Sequence, residues 1–299
     1  MSAKLVLDIE TVPDAEMGRG LYGLDDLDEG EVMRAMLHHY QQRTGLEFLP
    51  PIQHKVVAIG VVLRNDEGVR PLVLGEEDAK ESELIMRFFR GLGHYVPDLV
   101  TWNGAAFDLP VLNFRALRHE IQAKNYWETG VNDRAFRFNN YLSRFHWRHT
   151  DLMDALSGFQ GRGRPSLREA CALLGLPGKN LMEGSSVMDA YLEGRIGDIR
   201  RYCLEDALNT YLVSIHFDYL RGNLTQDSLD DEYGLLIDVL KSSGEQHLTE
   251  FARKLEAEPE DRKEDAGAES AGDAGSDDDQ PAADPQPGEA AREESATVH

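Results

Sequence analysis

The stretch Lys4-Leu5-Val6-Leu7-Asp8-Ile9-Glu10-Thr11 decides how the rest of the chain is read. It is apolar and β-prone, yet it carries two carboxylates near its end. Successive side chains on a strand point to opposite faces, so Asp8 and Glu10 share one face and Leu7 and Ile9 the other. Two acids about 7 Å apart on one strand face repel each other unless a cation sits between them. Solvated acids at an exposed strand end are the plain alternative. Further acids elsewhere in the chain, placed where they could converge on this pair, favour the cation.

The chain of 299 residues has a hydrophobic content of 41%, enough for one large domain or two small ones. It contains no run of about 18 apolar residues and no basic-then-apolar leader, which predicts a soluble, unexported protein with no membrane association. Its two cysteines, Cys171 and Cys203, are far apart and form no metal-type pair. A reducing cytoplasm is the compartment this implies. The net charge of −23 is uneven: residues 256–299 hold 15 acids against 3 Lys/Arg, a net of −12. That tail has no aromatic residue and almost nothing to bury, so it is expected to be disordered. An acidic body argues against holding duplex nucleic acid by general phosphate attraction. It leaves open an enzyme that meets phosphate through bound divalent metal.

Along the chain, residues 14–52 are expected to form an acidic, irregular insertion with one helix over Gly30–Tyr40, closed by Pro50-Pro51. His54–Arg64 and Val69–Leu74 read as a hairpin turning at Asn65-Asp66-Glu67-Gly68. Glu81–Leu92 has helical spacing, and Asp98–Trp102 is a short strand. In Asn103-Gly104-Ala105-Ala106-Phe107-Asp108-Leu109-Pro110, Gly104 would permit a tight turn and Pro110 would open a helix running to about Ala123. Asp108 then sits at a strand-to-helix corner, either capping the helix or building a site.

Residues 124–146 are aromatic and basic (Tyr126, Trp127, Arg134, Arg137, Tyr141, Arg144, Phe145) and read as a long loop or small insertion. Trp147–Leu152 is a further strand, followed by the basic glycine loop Gly158–Pro165 and helices at Ser166–Leu174 and Val187–Glu193. The last core element is a helix over Ile196–Leu220, with Leu204, Leu208, Leu212 and Ile215 as its buried stripe. One or two more helices follow within Ser228–Leu255. This order predicts one α/β domain, a mixed sheet flanked by helices.

Tyr202 and Asp206, four residues apart, share one face of that helix. Together, DIET, NGAAFDLP and YCLEDALNT resemble the three motifs of DEDDy-type 3′–5′ exonucleases, most of all the proofreading domain of family-B DNA polymerases and its stand-alone relatives. The resemblance covers about residues 1–222. It implies an RNase H-like fold and two-metal hydrolysis of phosphodiester bonds at the 3′ end of single-stranded nucleic acid, while the helices read after it make 223–255 a helical extension. By the same carry-over, Asp8 bridges two Mg²⁺ or Mn²⁺ ions, Glu10 and Asp206 complete the first site, and Asp108 holds the second. Tyr202 orients the attacking water together with Glu10. Hard divalent ions do prefer carboxylate oxygens, and no cysteine or serine nucleophile with an adjacent base is offered.

A sister class uses His-x-x-x-x-Asp in its third motif, a spacing found in His149–Asp154. That segment comes too early and is not on the final helix, and position 201 is arginine, so the tyrosine class is favoured. Asp151 is expected to be structural. Asn103, Phe107, Arg162, Arg164 and Lys179 are candidate substrate contacts, with solvated loop charges and core packing as the alternatives. Fewer than ninety residues follow the third motif, so no polymerase module is expected. The enzyme reading takes single-stranded DNA as substrate, with RNA as its alternative. The other class is a non-catalytic nucleic-acid-binding or partner-binding protein of the same fold.

Overall fold

The computed structural model describes residues 3–178 and 186–257. Strand β1 (Lys4–Pro13) runs on through Thr11-Val12-Pro13 and leads into α1 (Ala15–Tyr22) and α2 (Glu29–Thr44). Residues 14–52 are therefore not irregular. Asp14 and Asp28 cap the two helix starts, and Gly23 and Gly45 end them in the left-handed region. Asp28 and Glu31 form a complete capping box, a signal that was present in the sequence. The hairpin is β2 (His54–Asn65) and β3 (Gly68–Val73), followed by α3 (Glu81–Tyr95), β4 (Asp98–Thr101) and α4 (Asp108–Arg118), which ends short of Ala123. Strand β5 is only His149–Asp151 and passes directly into α5 (Leu152–Leu156). Then come α6 (Leu167–Leu174), α7 (Val187–Leu192), α8 (Ile196–Leu220), α9 (Gln226–Ser242) and α10 (Gln246–Glu256).

The five strands lie in the order β3-β2-β1-β4-β5. Strand β2 runs antiparallel to both its neighbours, while β1, β4 and β5 are parallel. This is the mixed, helix-flanked sheet that the element order predicts. On β1, Leu5, Leu7 and Ile9 join Phe88, Leu92, Leu109 and Leu112 on the α3/α4 side. Val6 packs with Leu204 and Leu208 of α8, and Val12 with Tyr202 and Cys203. Asp8 and Glu10 alternate in step with Val6 and Val12, so both acids face α8.

Every residue of α8 from Tyr202 to Ile215 is buried, so the helix has no single apolar stripe. The cause is its central place: the sheet lies beneath it, and α9 and α10 add Leu236, Leu240 and Phe251 to the same cluster. Each such side chain contributes about 1.5–3 kcal/mol when fully buried. Polar groups along the helix are only partly satisfied: Asn209 Nδ2 donates to the Gly178 carbonyl at 3.1 Å, whereas Asn209 Oδ1 and Thr210 Oγ1 are buried without a hydrogen-bond partner among the described residues. On the other side, Arg115 of α4 donates to Asp14 (2.5 Å) and to both oxygens of Glu81 (2.7 and 2.5 Å), pinning the starts of α1 and α3.

Helix α8 approaches β2 closely at Gly60, which stands opposite Asp8 in the sheet. A Cβ on Gly60 would lie 2.6 Å from the Cys203 carbonyl oxygen, and the Gly60 N–H donates to Cys203 Sγ at 3.0 Å. The Cys203 thiol in turn reaches the Asp8 carbonyl at 3.4 Å. Gly60→Ala must push the helix off the strand and should cost about 1–3 kcal/mol, the usual scale of overpacking. Urea unfolding measures this directly, and an unchanged midpoint would contradict the close approach.

His54 is held between two partners: its Nε2–H donates to the Leu49 carbonyl (3.1 Å), so Nδ1 accepts from the Thr11 hydroxyl (2.9 Å). Burial depresses its pKa to about 4, and burial does the same for His149, whose Nε2 lies 2.9 Å from Thr101 Oγ1. An imidazole with a depressed folded pKa stabilises fully above its unfolded value near 6.5, and that contribution is lost as pH falls through about 4. Stability should therefore drop between pH 6.5 and 4, and the drop should be shallower in His54→Gln. Parallel pH profiles for the two proteins would contradict the assignment.

Candidate active site

Three elements bring acids to one place. Asp8 and Glu10 come from β1, and Asp206 from the middle of α8. One carboxylate oxygen from each of the three lies within 4.8 Å of the others. Asp206 is buried, and Asp8 and Glu10 are half-buried. At that separation two ionised carboxylates repel by roughly 3 kcal/mol at an effective dielectric constant near 20. Local geometry helps aim the strand: the β1–β2 register shifts between Glu10 and Thr11, and such bulges redirect side chains beside sites.

Asp108 stands beside this trio and is not within it. It is the first residue of α4, with Phe107 at the cap position, so it is not the N-cap. Burial raises its pKa to about 7, with the charges of Asp151 and Asp206 adding to the rise. Backbone N–H groups of Asp108 itself and of Ile9 act in the opposite direction. The loop before it turns at Asn103, which carries the left-handed φ of 61°. Gly104 lies in the expected turn, and the position also excludes a side chain, since a Cβ there would meet the Thr101 side chain at 2.5 Å. Asp151 holds this loop, accepting from the N–H groups of Asn103 (3.0 Å) and Ala105 (2.9 Å) and capping α5. Its role is structural, and its charge still reaches Asp108.

Tyr202 lies one turn before Asp206 and is 2% exposed, packed in the cluster that contains Val12 and Ala58. Cys203, between them, is fully buried, and burial with the nearby charges of Asp8 and Glu10 pushes its thiol well above the usual range. It stays a thiol, which removes it as a nucleophile. His149 is on β5, bonded to Thr101, and contributes nothing to α8.

The candidate substrate contacts are less concentrated. Phe107 is half-buried with its ring 5.1 Å from Phe48 and 5.0 Å from His54. Arg164 pairs with Asp154 at 2.6 Å, and Arg162 is exposed on the same loop. Lys179 lies outside the described residues, as does the tail beyond position 257. Sequence reasoning missed Gly60, whose neighbour is 143 residues away. No helix among the described residues is long and apolar enough to cross a membrane.

The donor set fits a hard divalent ion, since three carboxylates offer oxygen ligands with room for water. No curated protein matches the chain. Among solved structures it is similar to the family B DNA polymerase from the hyperthermophilic archaeon Pyrobaculum calidifontis, at 17% identity and a TM-score of 0.45. That similarity covers 84% of this chain and 27% of the polymerase, so the chain spans about a quarter of that protein's length. Residues 46–255 match a family described as "predicted 3′-5′ exonuclease related to the exonuclease domain of PolB". The match includes Asp108, Tyr202 and Asp206, whereas Asp8 and Glu10 join them through the fold. By that match, over more than half its length, the chain belongs to the family of predicted 3′–5′ exonucleases related to the exonuclease domain of PolB.

Proposed function

We propose that the protein removes nucleotides from the 3′ end of single-stranded DNA, hydrolysing phosphodiester bonds with two divalent ions, Mg²⁺ or Mn²⁺. The observation that carries this reading is the convergence of Asp8, Glu10 and Asp206 within 4.8 Å, in a chain of exonuclease kinship. Asp8, Glu10 and Asp206 would hold the first ion, and Asp8 with Asp108 the second. Bound there, such ions supply an activated water and charge for the departing oxygen. Tyr202 would fix the water's orientation together with Glu10, since its buried ring can place a hydroxyl with little freedom. Water oxygen bonds to phosphorus as the bond to the 3′ oxygen breaks, leaving a new 3′ hydroxyl and a nucleoside 5′-monophosphate.

The remaining residues serve the strand. Asn103 and Phe107, on the loop into Asp108, would meet the terminal nucleotide, and Arg162 and Arg164 its phosphates. Arg164 would exchange Asp154 for a phosphate oxygen to do so. We assign catalysis to residues 1–222, with the helices of 223–255 bracing α8 from outside.

Incubating the protein with a 5′-labelled single strand should give a ladder shortening from the 3′ end with Mg²⁺ or Mn²⁺, and nothing with EDTA. Asp8→Asn and Asp206→Asn should each abolish the ladder while leaving the metal-free melting temperature unchanged or raised, because like-charge repulsion falls. Full turnover in either variant would remove that residue from the metal site. Tyr202→Phe keeps the ring and deletes one hydroxyl, so turnover should fall ~10–100-fold with metal affinity retained. A larger loss in His149→Ala than in Tyr202→Phe, read from single-turnover rates, would transfer the water-positioning role to the histidine.

A further inference from the structure

In a chain of net charge −23, two neighbouring segments carry the opposite sign. Residues 134–150 contain four arginines and no Asp or Glu, and residues 155–168 three arginines and again no acid. The first segment, which overlaps the expected loop or small insertion of residues 124–146, divides in two. Phe136 and Tyr141 are buried anchors, with the Tyr141 hydroxyl donating to the Pro97 carbonyl at 2.7 Å. Phe145 and Trp147 instead stand 74% and 51% exposed, and Phe159 from the second segment is 37% exposed. The anchored half holds the exposed half in place.

Phe145, Trp147 and Phe159 help wall an apolar cleft of about 150 Å³. A cavity of about that volume accommodates one benzene-sized ring. Phe145 and Phe159 lie 6.2 Å apart, and the Arg144 guanidinium sits over both rings at 5.0 and 5.6 Å. The two acids at the cleft are engaged, Asp151 by backbone N–H groups and Asp154 by Arg164. Ala105 closes one side, and three residues later Asp108 begins α4. The cleft therefore shares with Asp108 the loop that leads into α4.

Exposed aromatic rings interleaved with arginines, and no unpaired acid facing them, suit a polyanion with planar rings. We propose that this cleft is a stacking site for one unpaired base of a single-stranded nucleic acid, with Arg144 beside its phosphate. The assignment rests on the function proposed above and adds to it a base-binding site upstream of the cleaved end.

Fluorescence anisotropy tests it, using the full chain in EDTA with a labelled oligothymidylate strand and an abasic strand of equal length. Phe145→Ala should weaken oligothymidylate binding about 5- to 150-fold, the range for one lost base stack, and leave the abasic strand unaffected. Arg144→Gln should weaken both strands and lower the salt slope by about one. Phe138→Ala, 81% exposed outside the cleft, should change neither. Wild-type affinity of Phe145→Ala for oligothymidylate would overturn the site and leave the patch as a protein-facing surface. Equal loss on both strands would also overturn it. Hydrolysis with an unaffected Phe145→Ala retires the cleft alone, whereas base-dependent binding without hydrolysis retires the proposed activity and keeps the cleft.

Discussion

The close contact of a helix backbone with a strand backbone governs this structure. Helix α8 lies on β2 at Gly60, near enough that a single Cβ would strike the Cys203 carbonyl. Because Gly60 faces Asp8 across the ladder, the same contact fixes the height of Asp206 over the strand acids. The Cys203 thiol joins both strands to the helix, through the Gly60 N–H and the Asp8 carbonyl. Larger side chains at these positions would lift α8 and spread the carboxylates. The packing below the site and the geometry of the site are one constraint.

That constraint sets up a charge problem that the fold alone does not solve. Three carboxylates with oxygens within 4.8 Å repel one another when ionised, and Asp108 nearby is held toward its neutral form by burial and by two neighbouring acids. Hydrophobic packing around α8, reinforced by α9 and α10, is large enough to impose such a cluster. A divalent cation would relieve the repulsion, which makes this cluster a better metal receptor than a surface patch of acids. Asp151, Thr101 and Gly104 act at one remove, holding the loop that delivers Asp108 to the edge of the trio.

Much of this could be read from the chain. The alternation in DIET set both acids on one face, and the bounds of the last long helix, Ile196–Leu220, follow from its pattern. Short-range signals were overlooked in residues 14–52, where α1 is only eight residues with two glycines, and Gly18 packs against Met36 for tertiary reasons. The burial of α8 on all sides was hidden because its outer cover comes from helices later in the chain. Gly60 looked like an ordinary residue in HKVVAIGVVLR, since nothing local demands glycine there. The anchors Phe136 and Tyr141 were indistinguishable from the exposed Phe145 and Trp147, because only the fold decides which aromatic rings meet a core. Long-range contacts leave little trace in a single sequence.

The central claim is that Asp8, Glu10 and Asp206 form one receptor for a divalent ion. Anomalous diffraction from crystals of the full chain equilibrated with saturating Mn²⁺ tests it most directly. The account predicts a manganese peak bounded by the carboxylates of all three residues, at about 2.0–2.2 Å from its nearest oxygens. A map with no peak among those carboxylates, or with manganese bound only elsewhere, would contradict it.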